Sequence, residues 1–202
     1  MISSREPIAH EKASLTEVIQ GNTKHGFFGF FMFGGILAFY VVTEILVLSR
    51  LALYMRQYFN MDLKQSSLYV TYFFSFLLLG RLGFTFKKFA ASLKMQMNIL
   101  LGLTFFCVLL GLFAHPFFLA VSGLTMAPFY PLGIAYLSEQ THLHKRRYIT
   151  FAMAFQNLCL ISMHLGVGYL TDQFGLINAF GVGVISIVLS LLCINFHPRV
   201  AT

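Results

Sequence analysis

A chain of 202 residues is long enough for one or two water-soluble domains, but 57% hydrophobic and only 10% charged residues, with a mean hydropathy of +0.75, exclude that reading. With 24 phenylalanines, 9 tyrosines and no tryptophan, the apolar content must sit in runs that span lipid, which excludes both disorder and a cytosolic enzyme. The formal net charge of +7 remains to be explained.

Residues 1–26 carry Arg5, Glu6, Glu11, Lys12, Glu17 and Lys24 around no apolar segment, so they are not a secretory signal peptide and read as a cytoplasmic arm. Within it, Ser14-Leu15-Thr16-Glu17 has capping-box spacing, in which hydroxyl and carboxylate each satisfy an orphan amide; a short helix and an unstructured tail fit equally well. At Phe27 the hydropathy changes abruptly. From there to Ser49 one acidic side chain, Glu44, interrupts a run long enough for a hydrocarbon core of roughly 30 Å. Six spans are predicted, at about 27–55, 68–86, 95–114, 117–137, 149–170 and 176–196, with a cytoplasmic tail at 197–202. The runs are continuously apolar rather than alternating, which favours helices over the strands of a membrane barrel. The expected fold is an all-α integral membrane bundle over 27–196 with short connections.

An even number of spans leaves both termini on one side of the membrane. That side collects Arg5, Lys12, Lys24, Arg81, Lys87, Lys88, Lys94, Lys145, Arg146, Arg147 and Arg199, whereas Arg50, Arg56 and Lys64 fall on the other. The bias places both termini in the cytoplasm of an inner or plasma membrane protein. It also accounts for the positive charge and for the cluster His142-Leu143-His144-Lys145-Arg146-Arg147 without nucleic acid.

Catalytic signatures are missing. There is no GxxxxGK[ST] loop, HExxH, paired-cysteine spacing or GxSxG, so neither a metal, a cofactor nor an enzyme activity is expected; an intramembrane enzyme ranks third among the readings. Cys107, Cys159 and Cys193 each lie within an apolar run and read as small core residues.

The informative residues are the polar ones inside the spans, because a charge in hydrocarbon costs about 2.5–3.5 kcal/mol even on insertion scales. Tyr40 and Glu44 lie four apart on one face of the first span. Glu44 reads either as a proton site or as a structural carboxylate neutralised by Arg50 or a neighbouring helix. The fifth span carries Gln156, Asn157 and His164, and the seven-residue step from Asn157 to His164 returns to one face. An amide and an imidazole there can bind a polar solute or relay a proton, or can simply bond neighbouring helices. In the fourth span, Pro128 and Pro131 between Gly123 and Gly133 predict a bend or opening near mid-membrane. Such a break is tolerated only against protein or a wet cavity, so it points to a solute pathway, with helix packing as the alternative cause.

Four local motifs in this order resemble the C-terminal half of a major facilitator superfamily transporter, and more loosely its fucose-permease type sugar branch. Tyr40-Val-Val-Thr-Glu44 with Tyr54 resembles the seventh helix of that branch, and Gly80-Arg81-Leu82 with Lys87-Lys88 the basic turn after the eighth. Pro128-Phe-Tyr-Pro131 with Glu139 resembles the tenth, and Gly166-Val-Gly168-Tyr-Leu-Thr-Asp172-Gln-Phe-Gly175 the end of the eleventh. The resemblance implies that Tyr40 and Glu44 line a solute cavity and that Asn157 and His164 face it. It gives Arg81, Pro128, Pro131 and Asp172 gating or structural roles. Full transporters of this kind have twelve helices, and residues 1–26 resemble the loop between their halves. A six-helix half would leave its polar face towards lipid, so a homodimer or a separate N-terminal half is the expected partner, besides the bilayer and a small polar solute. A non-transporting scaffold or assembly partner, or a truncated transporter fragment, is the alternative.

Overall fold

The computed structural model describes residues 26–86, 90–140 and 145–196, and within them every regular element is an α-helix. These are α1 (Gly26–Phe59), α2 (Leu63–Phe86), α3 (Leu93–Phe113), α4 (Phe117–Met126), α5 (Phe129–Gln140), α6 (Lys145–Phe174) and α7 (Leu176–Phe196). α4 and α5 are halves of one segment, Phe117–Gln140, so the helices make six segments long and apolar enough to cross a membrane. The chain is a multi-pass membrane protein. The Ser14–Glu17 box, the residues Lys87 and Lys88, the pair His142 and His144, and the tail 197–202 lie outside the described residues.

Helix ends follow local chemistry more than hydropathy. α2 begins at Leu63 rather than near residue 68, because Asp62 and Gln65 form a reciprocal cap. The Gln65 amide donates to Asp62 Oδ1 at 2.6 Å and the Asp62 amide to Gln65 Oε1 at 3.4 Å. This box lets a polar turn, Lys64 to Ser67, join the helix. α1 stops at Phe59, where Asn60 takes a left-handed conformation with φ 50°. α3 is capped by Ser92, whose hydroxyl accepts from the Met95 amide at 3.3 Å. α6 extends about one turn beyond the predicted 149–170 at each end. Its junction with α7 is the single residue Gly175, whose φ of +83° an L side chain would strain.

α1 is the axis of the bundle, packed against α2, α4, α5, α6 and α7. In the most apolar 18-residue window of each span, 67% of α1 is buried inside the protein, against 11% for both α2 and α6. Lipid tails offer no hydrophobic penalty for separating helices, so close packing and hydrogen bonds hold them together. Thr43 donates to the Gly183 carbonyl at 2.9 Å and Ser190 to the Ile36 carbonyl at 2.9 Å, which ties α1 to α7 at two levels. Tyr54 donates to the Leu112 carbonyl at 3.1 Å, and Thr104 and Thr125 share a hydrogen bond of 2.8 Å between α3 and α4.

α2 and α4 meet backbone to backbone. A Cβ placed on Gly123 would lie 2.5 Å from the Phe73 carbonyl oxygen, and one on Gly80 would lie 2.5 Å from the Leu124 carbonyl oxygen. Glycine on each helix in turn permits this approach, and it holds α2 against the fourth span just before that span breaks.

Candidate functional site: the broken fourth span

The fourth span opens at Ala127-Pro128, between the end of α4 and the start of α5. Pro128 and Pro131 lack the amides that would reach the carbonyls of Leu124 and Ala127 one turn earlier. Lipid cannot satisfy such groups, so protein must shield them. The Leu124 oxygen is covered by Gly80, and Ala127 is packed against the same glycine. The Met126 carbonyl accepts the Tyr40 hydroxyl, a contact across 86 residues of sequence. The Tyr40 ring stacks on Phe129, the first residue of α5, with centroids 4.2 Å apart and planes at 27°. Tyr40 is 1% exposed, and its hydroxyl donates to the carbonyl at the break.

Glu44 lies one turn further along α1, half-buried, within electrostatic reach of the Tyr40 hydroxyl and of Arg81 on α2. The structure therefore brings Tyr40, Glu44, Arg81 and the Pro128–Pro131 break into one neighbourhood. Among the described residues, Arg81, rather than Arg50 of the same helix as Glu44, is the cation within electrostatic reach of Glu44.

Beside the break, α5 diverges from α2 and leaves an open cleft of about 380 Å³. Arg81, Phe84 and Thr85 of α2 form one wall; Pro128, Pro131 and Leu132 form the other. Phe84, Thr85 and Leu132 carry no motif of their own, and only the divergence of the two helices puts them here. Gly80 had a sequence signal, its place beside Arg81, but the carbonyl it covers lies on another span.

The fifth span contributes elsewhere. Asn157 and His164 are exposed on α6, and so is Asp172 near its far end. All three face the outside of the bundle. Gln156 turns inward, and its Oε1 is buried without a hydrogen-bond partner. Neither Asn157 nor His164 lines the cleft at the break.

Comparison with protein-family models, with curated proteins and with solved structures returns no match to this chain.

Proposed function

We propose that the chain is one half of a secondary transporter of the major facilitator type. In this reading it moves a small polar solute by alternating access after pairing with a second six-helix bundle. The observation that carries it is the exposure of Asn157 and His164 in the membrane-spanning part of α6, a helix with 11% of its apolar window buried. An amide and an imidazole facing hydrocarbon are unfavourable, and a partner bundle enclosing a wet cleft removes that cost. The broken fourth span supports the same reading, since opening at membrane depth suits a segment that moves between two access states. The four ordered motifs support the superfamily, and the charge bias supports cytoplasmic termini.

The test is solute uptake by proteoliposomes containing this chain alone, or together with any chain that copurifies with it from native membranes. Accumulation or exchange of a polar solute is the expected result, with altered pH dependence in Glu44→Gln. An absence of flux for every solute in a broad panel, with the partner present, refutes the transporter reading.

A further inference from the structure

We propose that the cleft at the break of the fourth span binds the carboxylate of a small organic acid with an apolar body, anchored by the Arg81 guanidinium. The binding stands on the cleft itself; that the acid is cargo rests on the transporter reading.

The chemistry of the lining selects the ligand. Four of the six described lining residues, Phe84, Pro128, Pro131 and Leu132, present hydrocarbon or aromatic surface, and neither proline has an amide to offer. The Thr85 hydroxyl donates to the Arg81 carbonyl at 2.8 Å, so its proton is spent within α2. Among the described lining residues, the side-chain donors that remain are the five N–H groups of Arg81, in a planar fork that matches a carboxylate two bonds at a time. A sugar has a poor match here: each of its hydroxyls wants both a donor and an acceptor, and most would be buried unpaired against these walls. An apolar body suits the same walls, and about 380 Å³ falls within the usual range of roughly 300–1,000 Å³ for small-molecule sites.

Glu44 gives the site a second property. Its carboxylate lies within electrostatic reach of Arg81 but does not line the cleft. In its ionised form it opposes a bound anion, and removing that charge strengthens binding at Arg81. An anionic lipid headgroup shares the carboxylate's chemistry, and Arg81 lies five residues before the last residue of α2, so the test must separate the two sources.

The full chain is reconstituted in phosphatidylcholine nanodiscs, and equilibrium binding of radiolabelled benzoate is measured with benzyl alcohol as the neutral competitor. Saturable benzoate binding is expected, resistant to benzyl alcohol, weakened about tenfold or more by Arg81→Gln and tightened about threefold or more by Glu44→Gln. A gain of affinity cannot arise from misfolding. The site is overturned by no saturable binding, by equal competition from benzyl alcohol, or by wild-type affinity in Arg81→Gln. Adding phosphatidylglycerol should leave benzoate affinity within about twofold; its stepwise displacement of benzoate through Arg81 would assign the cleft to a headgroup and overturn the proposal. Benzoate binding without benzoate uptake in proteoliposomes that hold the partner would refute the acid as cargo and leave the site standing. Arg81-independent uptake of a neutral solute, without benzoate binding, would do the reverse.

Discussion

Replacing Gly80 by alanine tests the contact on which the geometry of the break depends. The added Cβ would sit 2.5 Å from the Leu124 oxygen and 2.8 Å from the Ala127 Cβ. Ordinary contact begins at 3.4 Å, so α2 and the fourth span must separate by nearly an ångström. Backbone and a short side chain are the neighbours, and neither can swing aside. Overpacking of this kind costs about 1–3 kcal/mol, whereas alanine is a better helix former than glycine by roughly 1 kcal/mol. Gly83, one turn away on the same helix, has nothing within 4 Å of the place a Cβ would occupy and supplies the control. Thermal unfolding in nanodiscs should place Gly80→Ala below wild type by up to about 2 kcal/mol, and Gly83→Ala at or above it. The same Gly80 variant should also change benzoate affinity, because the separation reshapes the cleft beside Arg81. Equal stability of the two alanine variants would refute the close approach and with it the shielding of the Leu124 carbonyl.

Three further substitutions probe individual bonds. Tyr40→Phe keeps the stack on Phe129 but leaves the Met126 carbonyl without its donor, at a cost of about 1–3 kcal/mol in unfolding measurements; an unchanged stability would show the break to be satisfied in another way. Ser190→Ala removes one α1–α7 hydrogen bond and should cost about 0.6 kcal/mol, the average for such bonds in membranes, so a loss beyond about 2 kcal/mol would point to more than the bond. Asp62→Ala should lose about 1 kcal/mol and raise amide exchange in the first turn of α2; unaltered exchange at Gln65 would remove the cap from the account.

The six spans were legible because uninterrupted apolar runs have few other uses, and the break was legible because Pro128 and Pro131 remove backbone donors wherever they fall. The start of α2 was hidden by its polarity: Lys64-Gln65-Ser66-Ser67 reads as loop to hydropathy, and only the Asp62–Gln65 reciprocal cap makes it helix. Candidate site residues divided in the same way. Spacing placed Tyr40 beside Glu44 and Asn157 on the same side as His164, because four and seven residues are helical repeats. It could not say that the Tyr40 hydroxyl ends on Met126, that Arg81 rather than Arg50 is the cation near Glu44, or that Gln156 turns inward while its neighbour Asn157 is exposed. Those are facts about which spans adjoin, and the periodicity of one helix carries no information about its neighbours.

The transporter reading requires the outward side of α6 to meet a second bundle across water. In a background with Cys107, Cys159 and Cys193 replaced by alanine, a spin label at His164→Cys can be compared in native-lipid nanodiscs with one at Phe106→Cys, an exposed apolar position on α3. The expected result is a label at residue 164 shielded from oxygen and reached by a water-soluble relaxant, with the label at residue 106 showing the opposite pattern. Oxygen access as high at residue 164 as at residue 106, with no access from water, would put that side of α6 in lipid and contradict the paired bundle.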